Sequence, residues 1–139
     1  MGYRDELVIT PSRRGLEEIT PAVEQRLAVL GVQDGLVHVF LCHTSASLIV
    51  QENADPDVLR DLEDWLDRAV PDGDPAYRHR AEGPDDMPAH IKGAITATEL
   101  TLPMAVGQLC LGTWQGIFLW EHRNQPRPRR LVLSVVPFA

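Results

Sequence analysis

The chain has 139 residues, of which 44% are apolar, enough for one packed domain and too apolar for a disordered chain. Twenty acidic against 13 basic side chains leave a net charge of −7, which argues against a nucleic-acid partner. No apolar run approaches the ~20 residues of a membrane span, and residues 1–10 hold Arg4, Asp5 and Glu6 where an export signal would be apolar, so a cytoplasmic protein with no membrane partner is expected.

Leu7–Thr10 predicts a short strand. Thr20 as cap and Pro21 at the first helical position then open a helix with the apolar stripe Val23, Leu27 and Leu30, and Gly31 stops it. Leu36–Cys42 alternates with apolar residues on both sides, which predicts a strand packed on both faces. Ser47–Val50 resumes extended chain. Asp55-Pro56 opens the clearest helix, with Val58, Leu59, Leu62, Trp65, Leu66 and Ala69 at helical spacing and Pro71 at its end. The nine acids and two arginines of residues 51–74 read as its solvated face.

A polar loop, Asp72–Asp86, follows; loops this long in small domains often carry function. A short helix starting at Asp86 and running through Leu100 comes next. Strands are expected at Leu100–Met104, Gln108–Leu111, Gln115–Trp120 and Arg130–Val136. About six strands with three helices predict an α+β fold: an antiparallel-rich sheet system or sandwich flanked by the helices, one domain over residues 1–139. Cys42 and Cys110 lie in apolar stretches and, without an export signal, are expected as buried free thiols.

The histidines are the first candidates for chemistry. His38 sits among Leu36, Phe40 and Cys42 and is expected in a structural role. His43 ends its strand where Thr44-Ser45-Ala46-Ser47 begins, and the hydroxyls and backbone N–H groups of Thr44 and Ser45 suit a phosphate. His79 lies in the polar loop. His90 lies about one turn into the next helix, whose N-terminus attracts anions, with Lys92 nearby. The eleven-residue separation of His79 and His90 matches no compact metal motif. Convergence with His43 and with Glu52, Glu82 or Asp86 therefore depends on the fold, although two or three imidazoles with a carboxylate suit zinc. Gly112-Thr113-Trp114-Gln115-Gly116 predicts a tight hairpin with Trp114 plugged into the core. Glu121-His122-Arg123 ends a strand as a cleft rim, a subunit contact or a solvated turn. Arg127, Arg129 and Arg130 read as loop surface, with an anion role open.

Three strings together resemble the YjbQ family. They are His43-Thr44-Ser45-Ala46-Ser47-Leu48-Ile49-Val50 with Glu52-Asn53, the run from Tyr77 to Lys92 containing Glu82-Gly83-Pro84-Asp85-Asp86-Met87-Pro88, and Gly112–Ile117 with Glu121-His122-Arg123. They stand in family order and span nearly the whole chain. The resemblance implies a small α+β homotrimer with a histidine-containing pocket near the subunit contacts. It also implies the label secondary thiamine-phosphate synthase: a weak ability to join a pyrimidine pyrophosphate to a thiazole phosphate, beside a primary role not established. His43, His79 and His90 fall on the three family histidines, Glu52 and Glu121 on its acidic positions, and His122 on a position that varies. Glu99 and Met104 depart from the family pattern without touching the histidines.

The resulting expectation is that His43, His79 and His90 bind a divalent metal, zinc first, or act as acid/base groups. Glu52 orients a histidine or completes the metal shell. Thr44, Ser45, Lys92 and Arg123 hold a small phosphorylated metabolite. A metal-dependent hydrolase of a phosphorylated or acyl substrate, and a non-catalytic binder of an anionic metabolite or metal, are the alternatives.

Overall fold

The computed structural model describes residues 2–138. Among them, eight strands and three helices follow in the order β1 (Tyr3–Ile9), β2 (Gly15–Glu18), α1 (Thr20–Leu30), β3 (Gly35–Leu41), β4 (Ala46–Glu52), α2 (Pro56–Ala69), α3 (Asp86–Ile95), β5 (Glu99–Ala105), β6 (Gln108–Leu109), β7 (Gln115–Glu121) and β8 (Arg129–Pro137). They form a five-stranded sheet of order β1-β8-β3-β5-β6 and a three-stranded sheet of order β2-β7-β4. Every pairing is antiparallel. The α+β class expected from the sequence is the class observed, and the architecture is layered.

The inner face of the large sheet, with Val37, Val39 and Leu41 of β3 and Leu131, Leu133 and Val135 of β8, packs against Leu48 of β4, Ile117 and Leu119 of β7, and Val23 and Leu27 of α1. The opposite face of the small sheet carries Phe118 and Trp120, which pack with Leu66 and Val70 from α2 and its end. Strand β7 is thus covered on both faces, and six of its seven residues are buried. Each fully buried aliphatic or aromatic side chain in these layers contributes about 1.5–3 kcal/mol to folding.

Local chemistry explains most element ends. Asp55 caps α2 by accepting the Asp57 N–H at 2.9 Å, with Pro56 at the first helical position. Gly31 ends α1 in the left-handed conformation, φ 70°, which favours glycine. Thr20 is not the cap of α1; its hydroxyl donates to Glu18 and accepts the Ile117 N–H, stitching α1 to β7. Helix α3 stops at Ile95 rather than Leu100. There the Thr96 hydroxyl donates to the Lys92 carbonyl, and the β-branched Thr98 and Thr101 lead into β5. Strand β2, with one buried leucine in four residues, is too short for periodicity to reveal. The strand expected at Gln108–Leu111 is only Gln108–Leu109.

Three burial expectations are corrected. Strand β3 is packed on one face only: Leu36 is 39% and Phe40 40% exposed, because no element among the described residues covers the outer face of the large sheet. His38 shares that outer face, stacked on Phe40 and paired with Glu99. Trp114 is 64% exposed rather than a core plug. Cys110 is exposed and Cys42 half-buried; both are free thiols as expected, but neither is buried.

Candidate functional site

Four elements end at one edge of the two sheets. Strand β3 ends at Leu41, and His43, Thr44 and Ser45 cross from there to β4 in the other sheet. Strand β7 delivers Glu121, β8 begins at Arg129, and α3 begins at Asp86. Between them opens a cavity of about 400 Å³ lined by Cys42, His43, Thr44, Asp86, His90 and Arg127 among others. Two close approaches fix α3 there. A Cβ on Gly93 would lie 2.9 Å from the Thr44 carbonyl oxygen, so the absent side chain lets helix and turn meet. On the other side, the buried Lys92 ammonium donates to Asp67 of α2.

Asp86 Oδ2 lies 2.6 Å from His79 Nε2 and 3.0 Å from His90 Nε2. One donor atom from each of the three residues falls within 4.8 Å of the other two. The Thr44 carbonyl, which can only accept, takes the His90 Nδ1–H at 3.2 Å and so turns the Nε2 lone pair toward the carboxylate. Two electron-rich atoms face each other across that gap, a contact that needs a proton or a cation between them. Asp86 Oδ1 accepts from Arg123 Nη1 at 2.5 Å; Arg123 also donates from Nε to Asp85 at 3.0 Å and from Nη2 to the Glu82 carbonyl at 2.9 Å. Burial works to raise the Asp86 carboxyl, but hydrogen bonds from its neighbours and the Arg123 charge outweigh it and hold Asp86 below the usual carboxylate range. Two imidazoles and one ionised carboxylate, with His90 held from behind by the Thr44 carbonyl and Asp86 by Arg123, are a donor set that fits zinc or a similar ion.

His43 belongs to the cavity but not to this donor set. Its Nε2 accepts the Arg130 N–H at 2.8 Å, which places its own proton on Nδ1. Burial, then the Arg129 charge, push its pKa down and keep the ring neutral. The expected three-histidine cluster is therefore corrected: within the chain, Asp86 stands where His43 was expected. Of the three carboxylates the sequence left open, Glu52, Glu82 and Asp86, it is Asp86 that meets the histidines; it lies four residues before His90 on the same face of α3. Glu52 is not brought to the histidines either. It ends β4, six residues and so about 20 Å from Ala46 at the site, and its carboxylate accepts the Asp55 N–H.

The expected phosphate ligands divide. Thr44 is exposed at the cavity, whereas Ser45 Oγ already accepts from Arg129 Nη1 at 3.0 Å. Lys92 is buried in its pair with Asp67, away from the cavity. Arg123 reaches the rim, but its guanidinium is committed to the acidic residues behind His79 and His90. Arg129, expected as loop surface, is 2% exposed and bound by two nitrogens to the fully buried Glu121. Arg127 and Arg130 are exposed, and Arg130 pairs with Glu6. His122 is buried, its Nε2 2.8 Å from Ser47 Oγ, and burial, followed by the charges of Lys92 and Arg14, lowers its pKa to about 3.

A family model described as "UPF0047 protein YjbQ-like" matches residues 5–137. The chain belongs to the YjbQ-like UPF0047 family. The UPF0047 protein sll1880 of Synechocystis sp. is 47% identical over 133 residues, covering 96% of this chain and 90% of that one. The UPF0047 protein YjbQ of Salmonella typhimurium is 43% identical over 136 residues, covering 97% and 98%. Among solved structures, the conserved hypothetical protein TT1486 of Thermus thermophilus superposes with a TM-score of 0.85 at 37% identity, covering 95% and 99%. A protein of unknown function from Sulfolobus solfataricus (SSO2532), 22% identical, shares the fold with a TM-score of 0.88, covering 99% of each chain. The layered α+β arrangement is thus the YjbQ-like fold.

Proposed function

We propose that this UPF0047 chain is a metal-dependent enzyme acting on a small phosphorylated substrate, with zinc held by His79, Asp86 and His90. The observation that carries the reading is Asp86 Oδ2, placed between two imidazole Nε2 atoms of which one has its lone pair fixed by the Thr44 carbonyl. When bound, such an ion polarises a phosphate oxygen and lowers the pKa of a coordinated water. The residues around it have separable tasks. Arg123 holds Asp86 ionised and in place, and Arg129 holds the Ser45 turn. Neutral His43 offers Nδ1–H, and Thr44 its hydroxyl, at the cavity wall. Among the described residues lining this cavity, Arg127 is the arginine that no carboxylate pairs with. One free guanidinium suits a phosphate monoester better than a pyrophosphate. That balance favours phosphate ester hydrolysis as the main reaction, and thiamine-phosphate formation, which the family resemblance implies, as a slow side reaction of the same site.

The test is zinc content by plasma mass spectrometry on untagged protein offered zinc. About one equivalent per chain is expected in wild type and in His43→Ala. It should be lost in His79→Ala, Asp86→Asn and His90→Ala, with hydrolysis of p-nitrophenyl phosphate falling about 100-fold or more in those three. Failure of the wild type to take up zinc, or its retention in all three variants, overturns the reading. Thiamine-phosphate formation measured on the same samples ranks the two reactions.

We also infer a homotrimer. Support comes from the uncovered outer face of the large sheet, where Leu36 and Phe40 of β3 lie across from Val136 and Val132 of β8. Apolar side chains exposed side by side on a sheet are what a subunit interface covers.

A further inference from the structure

A second hollow adjoins the metal-ligand cavity and shares three of its walls. It measures about 220 Å³ and is lined by His43, Thr44, His90, Gly93, Ala94 and Thr98. Its lining is mostly apolar, whereas the cavity beside it is mostly polar. The reason lies in hydrogen bonds already made. His43 Nε2 is taken by the Arg130 N–H, and the Thr44 carbonyl by His90 Nδ1–H, so two polar atoms that would wet the shared wall are occupied. The other walls are the small residues Gly93 and Ala94 on α3 and Thr98 just before β5. Larger side chains at these positions would fill the space. An apolar cavity of about 150 Å³ is enough to admit benzene. The volume here accommodates one small substituted ring.

We propose that this hollow is the specificity subsite of the enzyme: it takes an uncharged ring, or a branched group of similar size, whose phosphate lies in the neighbouring cavity at His79, Asp86 and His90. The inference rests on the metal-site reading above and adds the chemistry of the substrate's other half. His90 divides the two halves, with its Nε2 toward Asp86 and its ring in the wall of the hollow. Ala94 and Thr98 then set the size of group admitted.

Calorimetric titration of zinc-loaded full-length protein with inorganic phosphate and with phenylphosphonate, whose C–P bond the proposed hydrolysis does not cleave, tests the proposal. Phenylphosphonate is expected to bind at least about tenfold more tightly than inorganic phosphate, the discrimination one well-fitted apolar group gives. Ala94→Leu and, independently, Thr98→Leu are expected to abolish that preference while zinc content stays at the wild-type level. Both positions are exposed, so neither change disturbs the packed core. Equal affinities for the two ligands in wild type, or a phenyl preference that survives both substitutions, overturn the subsite while leaving the metal-site reading standing. Absence of binding by either ligand to zinc-loaded protein overturns both.

Discussion

Arg129 and His122 show how far one buried residue can carry consequences that composition hides. Arg129 neutralises Glu121 inside the molecule, and removing one partner of a buried pair strands the other charge at a cost of about 3–5 kcal/mol. Arg129→Ala is therefore expected to unfold at much lower urea than wild type, while Arg130→Ala, whose pair with Glu6 is exposed, is expected to change the midpoint little. His122 makes a pH prediction. Its pKa drops from 6.5 to about 3 on folding, so between those values the unfolded chain takes a proton that the folded ring refuses. Stability from this group is full above the unfolded pKa, falls by about 1.4 kcal/mol per pH unit as pH drops through the window, and is restored as pH rises. His43 is shifted in the same direction, so the measurement is a comparison. Urea titrations of wild type and His122→Gln at pH values of about 6 and 4 should show the shallower pH slope in the variant; parallel slopes would contradict the assignment.

At the scale of elements, α3 is the piece that places the site. It carries Asp86 and His90, anchors through Lys92 to α2, and touches the Thr44 turn at Gly93. Alanine is favoured over glycine in a helix interior by about 1 kcal/mol, but here its Cβ would meet the Thr44 carbonyl, a backbone atom that yields only if the turn or the helix moves. Gly93→Ala is expected to displace the acceptor of His90 Nδ1–H and lower zinc affinity about tenfold, read by competition with a chromophoric chelator, with helical circular dichroism retained. Asp55→Ala removes the cap of α2 far from the site, so a loss of about 1 kcal/mol of stability with unchanged zinc affinity is expected.

For the whole molecule, the asymmetry between its two outer layers matters most. The small sheet is covered by α2 and its neighbours, while the outer face of the large sheet carries Leu36 and Phe40 toward solvent. A charge placed there opposes burial against another copy without disturbing the core. Phe40→Glu is expected to convert the inferred trimer to monomer in sedimentation velocity, with the zinc site intact; an unchanged sedimentation coefficient would exclude this face as the interface. No helix among the described residues is long and apolar enough to cross a membrane.

The sequence alone determined the α+β class, the start and cap of α2, the start of α3 and the end of α1. Each of these is written in neighbouring residues: Asp55-Pro56, Asp86, Gly31 and the periodic apolar positions between them. It also singled out His43, His79 and His90 together, of which the structure brings His79 and His90 to one carboxylate. Tertiary structure decided the rest, because burial and long-range pairing are not local. Which face of β3 is covered depends on where β4 and β7 lie in space. Whether Arg129 and Lys92 face solvent or a carboxylate depends on Glu121 and Asp67, distant elements of the chain. Asp86, rather than His43 or Glu52, meets the two histidines because the loop from residue 72 folds back onto the first turn of α3. A separation counted in residues does not encode that return.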